Sequence, residues 1–476
     1  MKGQFFCCAC RYCPRLTEEH NTMALFTKGI QFSKKETSLS LDRIDTPLPS
    51  RVILPLKQSI GEAAQPVVTQ GETVTTGQLI ATAPTAASLP VYATLTGTVG
   101  DLTEVEDATG IHTPCLIIEG DGTDTWATTP TQEGEDAHTA LSSLTPAALI
   151  ARIHAAGLIT NQLAPIPLAT DLMPSDQPKT HLIDGRRITQ KIDTLLITAF
   201  DKEPFLGVNR FLAGQHNDTL ADGITALTMI TGASAVRFVV DTHSGPYPQL
   251  NDLIAADEAE TTTLTALNGR RYPTGLAIPV IKAALGREVP LPYGHPRDVG
   301  VALYDLATVI AVGYAVNTRL PSVDTQLTVG GGALSRTGIA TVRIGTPIRE
   351  VIEACGGFQK DPAKLILGGP MTGMTHYDLD TPITKETEGL FALTRDEIQL
   401  SGDYQQCINC GRCVAVCPVN LLPGVLSLYC VKDKFDMAEA DGLFRCIECG
   451  CCDYVCPSRR PMVHLFRHAK RQLMEA

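Results

Sequence analysis

Two runs late in the chain share one pattern. "CINCGRCVAVCP" supplies Cys407, Cys410, Cys413 and Cys417 before Pro418, and "CIECGCCDYVCP" supplies Cys446, Cys449, Cys452 and Cys456 before Pro457. Both read C-x2-C-x2-C-x3-C-P, the spacing by which bacterial-type ferredoxins hold [4Fe–4S] cubes. A tight loop presents three thiolates to three irons, and in two-cluster proteins the fourth cysteine, on a helix beginning near the proline, ligates the other cube. The pattern therefore assigns Cys407, Cys410, Cys413 and Cys456 to one cluster, and Cys446, Cys449, Cys452 and Cys417 to a second. Structural zinc is the competing reading, but zinc sites pair C-x2–4-C elements across longer loops. Cys430 and Cys451 fall outside the pattern and are expected to pack in the core. A cube held by four thiolates has no open iron, so one-electron relay is the expected task rather than substrate chemistry.

Metal also explains the sixteen cysteines better than disulfides do. The N-terminal "MKGQFFCCACRYCPRLTEEH" puts charges and prolines where a secretion signal needs an apolar core, and thiols in the cytosol stay reduced. Within it, the spacing of Cys7, Cys8, Cys10 and Cys13 fits no compact metal site. Met23 reads as a natural start, so residues 1–22 are expected to be a disordered leader. A formal net charge of −12 leaves no basic face to neutralise phosphates, which argues against nucleic acid as a partner. No uninterrupted apolar run reaches the roughly 18 residues needed to span a bilayer. The nearest, Val299 to Val316, carries Asp305 and is expected to be a buried helix.

At 476 residues the chain exceeds one hydrophobic core. Short β-rich runs broken by Gly and Pro lie between Leu54 and Ile118. The phrase "VVTQGETVTTGQLIA" followed by "VYATLTGTV" resembles the barrel-sandwich hybrid of biotinyl and lipoyl carriers, but "ASLP" (Ala87 to Pro90) replaces their lysine, so a scaffold is expected over 23–128. "TQEGEDAHTALSS" (Thr131 to Ser143) reads as a linker. Over 144–315, helical periodicity alternates with strands: "TPAALIARIHAAG", "TLLITAF", "TLADGITALTMITG", "AVRFVVD", and a predicted helix "LNDLIAADEAETTTLTAL". That alternation predicts an α/β layer. Residues 324–395 form a further unit with two strands before a helix, and Gly330 to Gly332 are expected in a hairpin turn rather than a phosphate cradle. The cluster domain follows at 398–470. The fold class is thus multidomain α/β and β.

Together "LPLKQSIGEAAQPVVTQGETVTTGQLIA", "DVGVALYDLATVIAVGYAV", "VRIGTPIREVIEACGGFQKDPAKLILGGPMTGM", "TPITKETEG" and the paired cysteine runs resemble the RnfC family, the C component of the Rnf (Rsx) electron-transport complex, from Phe26 to the C-terminus. The resemblance implies a peripheral subunit on the cytoplasmic side of an inner-membrane complex that passes electrons between ferredoxin and NAD while ions cross the membrane. It also implies integral-membrane and peripheral partner subunits, a ferredoxin-like or other redox protein as donor, an α/β region similar to the flavin subunit of complex I, and a soluble-ligand-binding β-grasp module. The sequence departs from the family at its "GxGGAGFP" nucleotide loop, where "HAAGLITNQLAPIPLATDLM" (His154 to Met173) keeps only Gly157. The family's "NGAECEP" reads "ITAFDKEP" here, leaving Glu203 as the one retained cofactor-binding candidate beside Pro204. Loss of the phosphate cradle argues against direct binding of FMN or NADH. A soluble iron–sulfur reductase similar to cobalamin reductase shares the architecture but also uses the missing loop. A non-redox adaptor with structural clusters is the reading from a different class, and cluster midpoint potentials separate it from a relay. The basic residues Arg459, Arg460, Arg467, Lys470 and Arg471 are expected at a solvated helix end, with an anionic lipid or acidic donor as the alternative contact.

Overall fold

The computed structural model describes residues 28–34, 37, 39–106, 112–127, 141–160, 162–173, 182–183, 186–187, 191–398 and 405–475. The expected leader, the cysteines at 7–13 and most of the expected linker lie outside the described residues.

Seven strands build the first unit: β1 (Arg51–Pro55), β2 (Gln65–Pro66), β3 (Thr73–Val74), β4 (Leu79–Thr82), β5 (Val91–Tyr92), β6 (Gly97–Glu106) and β7 (His112–Gly120). They form two sheets, ordered β1-β7-β6-β3 and β2-β4-β5, around a core of Val52, Leu54, Ile80, Leu95 and Ile118. The chain before β1, expected as part of this unit, is instead shared out among the other units. Ile30–Gln31 pairs with Arg271–Tyr272, and Arg43–Asp45 adds a parallel strand to the β-grasp sheet. Those short segments bury one side chain each and gain their backbone partners only by joining another sheet.

The α/β unit contains α1 (Pro146–Ala155), α2 (Leu168–Leu172), β8 (Thr194–Thr198), α3 (Val208–Ala213), α4 (Leu220–Thr231), β9 (Ala235–Asp241), α5 (Pro248–Ala255), β10 (Thr262–Leu267), α6 (Ala277–Leu285), β11 (Val301–Asp305) and α7 (Leu306–Thr318). Thr145 caps α1 by accepting from the Ala148 amide, Pro146 opens the helix, and Leu149 and Ile153 share its buried face. The sheet is parallel, ordered β10-β9-β8-β11, and central β8 is buried throughout as a doubly covered strand requires. Helices α4 and α7 cross closely because each brings a glycine to the contact. A Cβ on Gly223 would stand 2.0 Å from the Val309 carbonyl oxygen, and one on Gly313 1.9 Å from that of Thr219.

Two sequence expectations fail here. Val299 to Val316 is not one helix but strand β11 running into α7, with Asp305 capping the helix through the Thr308 amide at 2.8 Å. A fully buried strand shows no alternation, so periodicity alone does not separate it from the helix behind it. The predicted helix from Leu250 ends at Ala255, and the threonine-rich remainder becomes β10, where β-branched side chains favour the pleated surface.

The β-grasp unit comprises β12 (Asp324–Gly330), β13 (Gly338–Arg343), α8 (Ile348–Ala354), β14 (Lys364–Leu367), β15 (Met374–His376) and β16 (Gly389–Leu393), in sheet order β13-β12-β16-β14-β15. The glycine triplet is the β12–β13 turn, and the Gly332 amide donates to both oxygens of Glu397 at 3.1 and 2.9 Å. A carboxylate of the chain itself fills the anion-friendly corner of that turn. The last unit is helical: α9 (Arg412–Val416), α10 (Pro423–Val431), α11 (Phe435–Ala440), α12 (Cys451–Tyr454) and α13 (Met462–Glu475), packed around Leu426, Leu443 and Phe466. No helix among the described residues is long and apolar enough to cross a membrane.

Candidate electron-relay and ligand sites

The two cysteine arms repeat at the level of the backbone. Asn409 and Glu448, then Gly411 and Gly450, then Asn420 and Arg459 occupy equivalent positions, and all six are left-handed, with φ of 54° and 56°, 73° and 75°, 58° and 51°. Alternating left- and right-handed residues curl amides toward a common centre, which suits an anionic iron–sulfur cube. The Asn409 amide donates to Cys407 Sγ and the Glu448 amide to Cys446 Sγ, both at 3.4 Å. The Leu421 amide donates to Cys417 Sγ at 3.3 Å. Such bonds stabilise charge on sulfur and tune a cluster's potential. The fourth cysteine does not sit on a helix beginning at the proline, as expected. Cys417 instead closes the short α9, and α10 begins only at Pro423.

The first arm is backed by Gly424, where an added Cβ would lie 3.6 Å from Cys413 Sγ and 3.8 Å from Cys407 Sγ. Burial pushes the Cys417 thiol up, and neighbouring Cys449 adds to the rise, so the fourth cysteine of arm one stands beside arm two. The reciprocal approach is a hydrogen bond from the Gln405 amide, just ahead of Cys407, to the Ser458 carbonyl, just beyond Cys456, at 3.0 Å. Burial pushes the Cys446 thiol up to about 12 against the opposing charge of Lys470, and a bound metal would favour the thiolate there. Among the described residues no three His, Cys, Asp or Glu side chains converge on a single-ion site. Cys430 and Cys451 are buried, as expected of packing residues.

The arms differ in their surroundings. In arm one Cys410 is exposed and Ile408 is 65% exposed, followed by exposed Leu422, Val425, Leu428 and Val431 along α10. Arm two is covered. Cys449 and Cys451 join an apolar cluster with Ile30, Phe32, Tyr272, Phe205 and Met371, and the Tyr272 hydroxyl donates to the Cys449 carbonyl at 2.6 Å. A Cβ on Gly450 would stand 2.8 Å from the Met371 carbonyl oxygen, so only glycine lets the β-grasp loop close over this arm. The basic residues of the tail are mostly consumed in the same seam. Arg467 and Lys470 grip Glu448 at 2.8 and 2.7 Å, and Arg460 donates to Ser427 Oγ at 3.1 Å. Arg467 and Lys470 thus clamp α13 onto arm two, while Arg460, just ahead of α13, ties to α10.

A separate cavity of about 490 Å³ opens at the C-terminal edge of the α/β sheet. The chain runs outward from β8 through β9 to β10 and then returns to the other side of β8 as β11, so the crevice between β8 and β11 is the switch point where open α/β sheets bind ligands. Asp201, Lys202 and Leu206 line it after β8, and Asp305 and Thr308 after β11.

Comparison with known proteins places four family models along the chain. These are an RnfC barrel sandwich hybrid domain over residues 24–123, a Nuo51 FMN-binding domain over 179–314, an SLBB domain over 326–375 and a 4Fe-4S dicluster domain over 399–457. The chain is 31% identical over 409 residues to the C component of the proton-translocating ferredoxin:NAD(+) oxidoreductase complex of Clostridium ljungdahlii, covering 86% of this chain and 84% of that one. It is 33% identical over 441 residues to the C component of the ion-translocating oxidoreductase complex of Rhodobacter capsulatus, covering 90% and 79%. The C component of the Na(+)-translocating ferredoxin:NAD(+) oxidoreductase complex of Acetobacterium woodii is 29% identical, covering 90% and 91%. The chain belongs to the RnfC family of ion-translocating oxidoreductase complexes.

As an RnfC-family chain it has the dicluster domain whose cofactors are two [4Fe–4S] clusters, and the arms described above fit them. Its switch-point cavity does not fit the phosphate of FMN, although the FMN-binding model matches this unit. A phosphate is held by free amides at helix N-termini and by ammonium groups, and here four amides at the starts of α3 and α7 and both lysines of the cavity already have acceptors in the chain. Asp201 accepts from the Asn209 and Arg210 amides at 2.9 and 3.3 Å, filling the start of α3. Asp305 and Asn209 occupy the Thr308 and Ala307 amides at the start of α7. Lys202 pairs with Glu388, and Lys385 donates to the Gly157 carbonyl at 2.7 Å. The segment that replaces the glycine-rich loop folds into a small hairpin pairing Ile159–Thr160 with Ile166–Pro167, and Pro165 and Pro167 carry no amide hydrogen.

Glu203, the retained candidate, points away from the cavity. It is 1% exposed, and its carboxylate accepts from the Met371 and Thr372 amides at 2.8 and 2.9 Å and from Thr372 Oγ1 at 2.5 Å. In this structure it ties the α/β unit to the loop that covers arm two. The residues that sequence reasoning missed are those acting at long range: Gly424 behind the first arm, Tyr272 and Met371 over the second, and Asp201 as the plug of α3. Only Asp305 left a local signal, as an N-cap residue three positions before Thr308.

Proposed function

We propose that this chain is the electron-relay subunit of an Rnf-type complex coupling ferredoxin/NAD electron transfer to ion translocation. Cys407, Cys410, Cys413 and Cys456 hold the outer cluster, and Cys446, Cys449, Cys452 and Cys417 the inner one. The observation that carries the reading is the asymmetry of two otherwise equivalent arms. An open arm with an apolar rim suits transient contact with another redox protein, and a covered arm suits passage of the electron into the body of the assembly. A purely structural pair of clusters gives no reason for one arm to be open. In the complex the chain is a peripheral subunit on the cytoplasmic side of the inner membrane, held by the membrane-embedded subunits. The division into units serves this arrangement by stacking the inner arm on both the α/β and β-grasp units.

Electrons reach the clusters from a protein partner rather than from nucleotide bound by this chain. NADH added to the anaerobically purified protein leaves the cluster absorption unchanged, whereas a ferredoxin-like donor or dithionite bleaches it; rapid bleaching by NADH, with bound flavin, rules the reading out. Ile408→Asp and Val425→Asp slow cluster reduction by the protein donor about tenfold while leaving the oxidised spectrum intact, because a desolvated charge in an apolar contact weakens docking. Unchanged rates would show that the open arm is not the port.

A further inference from the structure

We propose that the switch-point cavity binds an uncharged planar aromatic molecule and rejects the same molecule carrying a phosphate. The cavity sits where open α/β sheets take ligands, its volume of about 490 Å³ admits a three-ring aromatic, and much of its wall is apolar: Leu206, Leu212, Ile310, Ala311 and Val323. Trp126, the only tryptophan in the chain, and Tyr314 add aromatic surface. Trp126 is held in place by Arg343, whose guanidinium carbon lies 5.8 Å from the ring centroid. The charged lining is acidic on balance. Asp201, Asp305, Asp324 and Glu388 face Lys202 and Lys385, and both lysines already have acceptors within the protein.

A phosphate entering this space finds the Asn209 and Arg210 amides of α3 and the Ala307 and Thr308 amides of α7 already bonded to side chains of the protein. To gain a donor it must displace Asp201, Asp305 or Glu388 and leave that carboxylate unpaired, which costs more than the new bond returns. An uncharged ring system displaces nothing and buries apolar surface. The site also has a useful neighbour. Asp201, Lys202 and Leu206 line the cavity, whereas Phe205, in the same segment, packs edge-on against Phe32 at 5.1 Å in the apolar cluster that covers the inner arm. One short segment thus has the cavity on one side and the seat of the inner cluster on the other. The proposal stands independently of the relay, since it concerns binding alone.

The test compares riboflavin with FMN, which differ by the phosphate. The intact, cluster-loaded chain is titrated with each, reading flavin fluorescence anisotropy and quenching of Trp126. Riboflavin is expected to bind at least about tenfold more tightly than FMN. Ala311→Phe, which fills the cavity from α7, is expected to abolish that binding with the cluster absorption unchanged. Leu320→Phe, at the half-exposed rim, provides a second block that asks less of the core. FMN binding as tightly as riboflavin, no riboflavin binding at all, or riboflavin binding that survives both substitutions overturns the proposal.

Discussion

Replacing Cys456 with alanine removes the cluster of the first arm and leaves that of the second, although Cys456 lies in the second motif. The expected iron content falls by roughly half, from about eight to about four atoms per chain, as for two four-iron cubes. The magnetic interaction between the two reduced clusters disappears from the electron paramagnetic resonance spectrum. Cys417→Ala does the reverse. Iron content alone does not say which cube is lost, but paired substitutions do. With crossed ligation, Cys456→Ala combined with Cys410→Ala still holds one cluster, because both remove ligands from the same cube. Cys456→Ala combined with Cys449→Ala holds none. Straight ligation exchanges these two outcomes. Crossing is expected because Cys417 stands beside Cys449, and Gln405 and Ser458 join the flanks of Cys407 and Cys456. Cys451→Ala serves as the control and retains both clusters, since Cys451 has no counterpart among the cysteines of the first arm.

The second large effect concerns Glu203. Burial pushes its carboxyl up to about 7 from 4.5; Glu388 nearby adds to the rise, and the bonds from Thr372 and Met371 oppose it. A raised carboxyl pKa means that the folded state holds the proton more tightly than the unfolded chain. The stabilisation is complete below about 4.5 and is lost as pH rises through about 7. The loss is on the order of 3 kcal/mol by the linkage of ~1.4 kcal/mol per pH unit. Between pH 5.5 and 7.5 the thermal midpoint of the wild type should therefore fall. Glu203→Gln has no proton to lose there, so its midpoint falls less than the wild type's across that window whatever its absolute value, the remainder coming from groups such as Asp453, which burial raises to about 6. A variant with the wild-type slope would assign the pH dependence to another group.

Much of this molecule was legible before any fold was known. The candidate ligand cysteines follow from spacing, since a tight loop must present three thiolates of each arm to one cube. Helices α1 and α4 announced themselves by their apolar period. The misreadings fell where local pattern is degenerate. A fully buried strand running into a buried helix reads as one apolar stretch from Val299 to Val316, and the threonine-rich β10 follows α5 without a proline or glycine to mark the break. Glu203 was singled out for its place in a motif, yet its partners are the amides of Met371 and Thr372, more than a hundred residues away in the chain. The basic tail was read as a charged helix end, yet Glu448 and Ser427 absorb most of it.

By itself the sequence singled out eight thiols as candidate ligands and showed that a glycine-rich phosphate loop is missing, because both patterns are carried by residues close along the chain. Only the tertiary structure decided which arm faces solvent, since Tyr272 and Met371 reach Cys449 and Gly450 from other units. It also decided that side chains of the protein already occupy the Asn209, Arg210, Ala307 and Thr308 amides at the switch point. Helix N-termini attract anions wherever they occur, and whether one remains open depends on which side chain the fold has already placed against it.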